Sequence, residues 1–250
     1  MHGERGGKAG GGVTGAGAWL RRNRLVHTLV SLEGNARWCV WTEPMWGIPY
    51  YLYIPLMSKY MEALGLSPLQ IGVVATVFVV SQMTFAFFAG AVTDRLGRRW
   101  TTTAVDVLCW CVPFLLWMNA RGFAWFVVAA AINGLWRITE NSWGLLLAED
   151  APEGLLVNIY SLVAISGLLA GFFSPLTSLL VARFSLVPVM RGIFLFGFIV
   201  FTTKLVILHV KSHETETGRK RMEELRGKPL FHSVRGSMGV IRGMLSRRAL

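Results

Sequence analysis

The chain reads as an all-α membrane protein with six transmembrane helices, and three observations carry that reading. Of its 250 residues, 53% are hydrophobic and only 16% charged, with a mean hydropathy of +0.49. A soluble globular protein carries about 25% charged residues. Residues 71–93 and 154–182 contain no Asp, Glu, Lys or Arg, and each run exceeds the ~20 apolar residues that cross a ~30 Å hydrocarbon core. The basic residues concentrate in segments between apolar stretches, on one side of the array. This composition argues against a soluble enzyme and against a disordered regulator.

Residues 1–36 form a Gly-rich, basic lead-in with Arg21, Arg22 and Arg24. No compact apolar core with a small-residue cleavage site follows, so it is not read as a signal peptide. Residues 37–210 form the transmembrane domain, with spans at about 38–60, 71–93, 100–120, 122–148, 154–182 and 186–210. Pro44, Pro49 and Pro55 interrupt the first span, each removing a backbone hydrogen bond. Only short turns fit between spans three and four and between five and six, which makes those neighbours antiparallel. Residues 211–250 form a basic linker. Nineteen Lys or Arg residues fall on one side of the spans. The other side has Lys59, Arg121, Arg183 and Arg191. Positive-inside bias therefore predicts both termini in the cytoplasm of a multi-pass protein of the cell (plasma or inner) membrane. The net charge of +11 is thus a topology signal and not a nucleic-acid footprint. Trp38, Trp41 and Trp100 at inner ends, and Trp117 and Trp125 at outer ends, suit an interfacial belt. Trp46, Trp136 and Trp143 lie deeper.

Between spans two and three the chain runs from Gly90 through Asp94, Arg95, Gly97, Arg98 and Arg99. Gly97 permits a backbone that other residues resist. Gly90 would let two helices approach closely. Asp94 among three arginines can form charge-assisted bonds that lock the turn. Basic anchoring alone would need neither the Asp nor the glycines.

This stretch resembles the signature loop of the major facilitator superfamily, G-x-x-x-D-[RK]-x-G-[RK]-[RK], in the expected place after the second span. The resemblance covers about residues 25–230 and implies the N-terminal half of a twelve-span transporter, each half built from two inverted three-helix repeats. The chain is accordingly expected to be a half-length version or a fragment, missing a C-terminal six-helix half or pairing with a second copy. The resemblance also implies a cytoplasmic gate. Asp94 would face the other half, and Arg98 would pair with an acid at the inner end of span four, where Glu149 and Asp150 are available.

Ionisable groups at bilayer depth are costly and mark functional candidates. Asn133, Arg137 and Glu140 share one face of span four at spacings of four and three. Arg137 and Glu140 either neutralise one another or serve a proton or substrate relay. Arg137 also resembles the family's span-four motif, although Glu140 and Asn141 stand where Gln and Gly are usual. In span one, Glu43, Trp46, Tyr50 and Tyr53 share a face, which either lines a cavity able to stack on a sugar or cation or simply packs. Gln82 is a polar contact toward the cavity or interhelical glue. Lys204 is expected to snorkel to the interface, and Asp106 to be paired.

Span five contains Gly167, Gly171 and Pro175, with Phe172, Phe173 and Ser174 intervening. The family's antiporter motif wants Gly directly before Pro, so proton-antiport drug export is not supported by this element. The two glycines read as a close-packing face. Cys39, Cys109 and Cys111 show no zinc spacing or disulfide framework, and no cofactor or metal set is expected. No His motif of a membrane enzyme is present. The leading expectation is a secondary transporter of a small solute, coupled to a proton or ion and surrounded by membrane lipid. The rival is a non-transporting membrane partner, scaffold or self-assembling half-transporter.

Overall fold

The computed structural model describes residues 24–227, and every regular element among them is helical. A short helix α1 (Arg24–Ser31) leads into α2 (Gly34–Tyr53), one 3-10 turn (Ile54–Leu56) and α3 (Met57–Ala63). These last three make one rod, residues 34–63. Helix α4 (Pro68–Leu96) is the second rod. It opens on a capping box in which Ser67 and Gln70 exchange side-chain-to-backbone bonds, with Pro68 at the first helical position. The third rod joins α5 (Arg98–Asp106), a π-helical turn (Val107–Cys111) and α6 (Val112–Met118). The fourth joins α7 (Phe123–Asn133) to α8 (Trp136–Ala148) across a break at residues 134–135. The fifth joins a 3-10 turn (Glu153–Leu155), α9 (Leu156–Gly171) and α10 (Ser174–Phe184). The sixth is α11 (Leu186–Lys211), followed by α12 (Glu216–Glu224).

Among the described residues, four rods are long and apolar enough to cross a membrane: Pro68–Leu96, Arg98–Met118, Glu153–Phe184 and Leu186–Lys211. The other two carry the embedded charges and breaks, with Arg37, Glu43, Pro44 and Pro49 in α2, and Arg137 and Glu140 in α8. Helix α2 lies between α9 and α11, while α8 lies between α4 and α5. The third rod packs on α11, and α2 also touches α8.

Several expectations are corrected here. Among the described residues, helix is already present from Arg24, not only from near residue 37. Thr28 of α1 is fully buried and accepts a hydrogen bond from Asn158 at 3.1 Å, which ties α1 to α9. The more N-terminal part of the Gly-rich lead-in, like residues 228–250 of the basic linker, lies outside the described residues. Pro44 and Pro49 sit within α2 without ending it, and only Pro55 coincides with a break. Trp117 does not belong to an interfacial belt. It is 5% exposed, in the core with Tyr53, Phe114 and Phe194. An added Cβ at Gly90 or Gly167 would meet nothing within 4 Å, so neither marks a tight helix contact. Close approach falls instead at Gly47, where an added Cβ would lie 3.0 Å from Ala170 Cβ, and at Gly134.

At two of the breaks the freed backbone finds a side-chain partner, as an apolar surround requires. Pro113 has no N–H to offer the Cys109 carbonyl four residues back. Asn133 Nδ2 donates to that carbonyl at 2.6 Å. The Leu52 carbonyl, at the 3-10 turn before α3, accepts from the Thr177 hydroxyl at 2.7 Å. Hydroxyl and amide pairs join neighbouring rods elsewhere: Thr102 to Ser142 at 2.8 Å, and Asn141 to Thr93 at 3.1 Å.

Gly134 sits at the break in the fourth rod, where α4 presses closest. A Cβ there would overlap Ser81 Cβ and lie 3.0 Å from backbone atoms of Ser81 and Gln82. Gly134→Ala should therefore cost about 1–3 kcal/mol, the usual overpacking penalty. Gly144→Ala, with open space around it, should be neutral. Thermal unfolding of both variants in detergent checks this, and an unshifted midpoint for Gly134→Ala would refute the packing argument.

Candidate functional site

The signature loop closes one end of the bundle. Gly97 adopts φ +85°, a conformation costly for any residue with a side chain. A Cβ there would also fall 2.5 Å from Glu214 Oε2 and 2.9 Å from Met222 Sδ. The space is needed because Glu214 caps α5. Its carboxylate accepts the backbone N–H of Arg98 at 2.8 Å and of Arg99 at 3.0 Å. This places negative charge on unpaired donors at a helix N-terminus.

Arg98 is only 3% exposed. It donates to Glu149 from Nε at 3.1 and 3.2 Å and from Nη2 at 3.0 Å. Its Nη1 lies 3.0 Å from Asp94 Oδ1, near enough to pair charges but without hydrogen-bond alignment. Glu149 also accepts the Thr215 hydroxyl, and Thr215 in turn caps α12 by accepting from Gly218 N at 2.9 Å. Arg99 donates to the His209 carbonyl from Nε and Nη2 at 3.0 and 2.7 Å, satisfying the C-terminal turn of α11. Asp150 accepts from Asn35 Nδ2 at 3.2 Å, while Asn35 also exchanges two bonds with the His213 backbone. Arg95 is exposed, and Gly90 stands apart from the network. Thus Asp94, Gly97, Arg98, Arg99 and Glu149 come together. Glu214, Thr215, Asn35 and His209 join them without having been foreseen. The one available signal was an acid, Glu214, at the head of a basic tail.

Deeper in the bundle, Trp46, Tyr50 and Tyr53 line a cavity of 380 Å³ with Trp110, Trp136 and Asn133. Trp46 and Tyr50 stack at 4.9 Å, and Trp110 meets Trp46 edge-on at 5.7 Å. Such pairs add about 0.5–1.5 kcal/mol each beyond area burial and hold the wall rigid. Asn133 borders this cavity, with its amide nitrogen committed to the Cys109 carbonyl. It does not share a site with Arg137 and Glu140, which line a different hollow.

Glu43 faces a second cavity of 210 Å³, with Asp106, Thr139, Trp143 and Lys204. Lys204 does not snorkel. It is 4% exposed, with Nζ 3.4 Å from Glu43 Oε2 and lying over the Trp143 and Phe201 rings. Trp46, Trp110 and Trp136 border both cavities and form the partition between them.

Arg137 and Glu140 pair at 2.6 Å, and Arg137 Nε donates to Gln82 at 3.1 Å. Both line a third, open hollow of 640 Å³ against α4. Their side chains are 39% and 50% exposed, so the pair is not buried among the described residues. Glu140 also borders the charged cavity.

A four-rod set of membrane-length helices, a charged signature loop and polar cavities inside the bundle define a multi-pass membrane transport protein. The chain belongs to the Major Facilitator Superfamily, whose sequence model matches residues 46–250. Among curated proteins it is similar to the quinolone resistance protein NorA of Staphylococcus aureus. It is 23% identical to the protein of strains Mu50 and MRSA252 over 185 residues, covering 69% of this chain and 44% of the relative. The chain thus spans less than half the length of the curated relatives it matches.

Glu214→Ala should strip two acceptors from the start of α5, a capping loss of about 0.5–2 kcal/mol. Amide exchange at Arg98 and Arg99 should rise by up to about tenfold or somewhat more. Glu216→Ala, an exposed change, should leave it alone. Unchanged exchange in Glu214→Ala would refute the capping role.

Proposed function

We propose that this chain acts as the N-terminal six-span body of a secondary active transporter working by alternating access, with coupling to a proton or ion. The observation that carries the reading is the partition of Trp46, Trp110 and Trp136. It sets an aromatic cavity, of a size suited to a small ligand, against a charged cavity in the interior of the bundle. Substrate occupies the first and the coupling ion the second, so one wall senses both.

The packing supports the inverted repeat. Exchanging rods one, two and three for four, five and six leaves the main pairings unchanged. Rod one lies between five and six as rod four lies between two and three, and rods three and six pack together. The loop-end network around Arg98 is the inner gate, with Asp94 directed toward the second six-span half. Membrane lipid and that half, or a second copy of the chain, cover the apolar faces of α4 and α9, which bury few residues. Both termini lie in the cytoplasm, which the nineteen-to-four Lys and Arg bias supports.

The relatives' name, quinolone resistance, favours export of flat aromatic compounds, and the stacked Trp46–Tyr50 wall suits such rings. Export, not symport, is therefore the direction we favour, although Gly171 and Pro175 do not form the antiporter motif. Titrating a quinolone against the purified chain by tryptophan quenching tests the cavity. Trp46→Ala and Tyr50→Ala should each weaken binding about tenfold, the equivalent of ~1.4 kcal/mol. Trp125→Ala, away from the cavity, should not. Equal binding by all three variants would remove the substrate assignment.

A further inference from the structure

We propose that the charged cavity is a proton-binding site in which Glu43, Asp106 and Lys204 share one added proton, with Asp106 as its main acceptor. Its role as the coupling site rests on the transport reading above. The site itself rests on charge and geometry alone.

The charge count is the starting point. Two carboxylates, Glu43 from α2 and Asp106 from α5, face a single ammonium, Lys204 from α11, in one 210 Å³ cavity. The Arg137–Glu140 pair at the cavity's edge is self-compensating. The cluster therefore carries one uncompensated negative charge when all three groups are ionised. Lys204 is committed to Glu43 at 3.4 Å. Among the described residues, no ion pair includes Asp106, which is 5% exposed. Its hydrogen-bonding neighbours are neutral, the Cys109 thiol at 3.6 Å and the Thr139 hydroxyl, while Lys204 attracts it across the cavity without pairing with it. Neutral donors ease a buried charge but do not cancel it, and a lone carboxylate in an apolar surround is expensive. Taking up H⁺ from water forms one O–H bond on a carboxylate and brings the cluster from −1 to zero. No other reactant is needed.

The cavity also has the means to deliver a proton. Its volume admits several waters at roughly 30 Å³ each. The indole N–H groups of Trp136 and Trp143 are buried without an acceptor, and both residues line the cavity. They are donors placed for ordered water. Glu140 borders both this cavity and the open 640 Å³ hollow, so its carboxylate bridges the outside and the site. The titratable groups facing Asp106 and Lys204 are thus Cys39 and Glu43 from α2, Cys109 and Cys111 from the π turn, and Glu140, with Arg137 behind it, from α8. The thiols are buried and neutral, which leaves the carboxylates as acceptors.

Infrared difference spectra of the full chain in lipid nanodiscs, recorded as the pH is stepped down, test this directly. Wild type should show a protonated-carboxyl band from a buried acid. Asp106→Asn should abolish it, and Asp106→Glu should retain one at a displaced frequency. Lys204→Met, which removes the counter-charge, should bring the band in at higher pH. Glu62→Gln, an exposed acid at the far end of the first rod, should leave it unchanged. A band that survives both Asp106→Asn and Glu43→Gln would overturn the proposal. So would one suppressed by sodium at constant pH, since the cavity would then hold a metal cation. A chain that takes up this proton yet moves no solute in vesicles would sink the transport reading and leave the site standing.

Discussion

Inside a hydrocarbon layer there is no water to fall back on, so backbone N–H and C=O groups must find their partners within the protein. This one requirement organises the interior. Where Pro113 leaves the Cys109 carbonyl without its helical donor, Asn133 supplies one from another rod. Where the 3-10 turn frees the Leu52 carbonyl, Thr177 does the same from the fifth rod. Helix breaks thereby become inter-rod connections. Each such bond is worth only about 0.6 kcal/mol on average in a membrane protein, and up to ~2. Its larger effect is on register, because the donor must sit opposite the break it serves. Lys204 obeys the same rule with a full charge. Held away from the interface, it draws Glu43 to it and so fixes the facing of α2 against α11.

The loop end is built by a different balance. Its groups are charged and closer to water, and they act on backbone termini as much as on one another. Glu214 caps the start of α5, Arg99 covers the end of α11, and Thr215 starts α12. Three helix ends that would each expose unpaired groups are closed by side chains from their neighbours. Arg98 sits at the centre with two carboxylates within reach. Removing either acid therefore leaves it paired, so the network tolerates movement of one partner better than a single ion pair would.

Much of this was legible in the chain itself. Uncharged runs of 23 and 29 residues locate the second and fifth rods. Asp94 among three arginines signals a charge-locked turn, and the pairing of Arg98 with an acid at the end of span four is what the family resemblance implies. What was not legible depends on which face meets which. Reading Lys204 one helix at a time makes snorkelling the natural outcome. Only the packing of α2 against α11 reveals a carboxylate waiting at depth. Gly90 and Gly134 look alike as letters, yet only Gly134 faces a neighbour. Glu214 lies 116 residues beyond Arg98, and no local pattern joins them. Trp117 occupies a span end, but its ring points into the core.

The two polar centres are not independent, because the same two helices carry both. Helix α11 holds Lys204 in the charged cavity and, five residues on, offers the His209 carbonyl to Arg99. That is about 7.5 Å along the axis at 1.5 Å per residue. Helix α8 presents Thr139 and Glu140 to the cavity and ends next to Glu149, the partner of Arg98. A helix moves as a stiff body over so short a distance. Any rotation or slide that separates Lys204 from Glu43 therefore also strains the contacts of Arg99 and Arg98. The coupling runs equally in the other direction, as linkage between two sites on one equilibrium must. Were the loop end to open, α8 and α11 would be released and the charge environment of Asp106 would change. The architecture thus joins the ionisation of an interior cluster to the integrity of one end of the bundle, through two helices that belong to both.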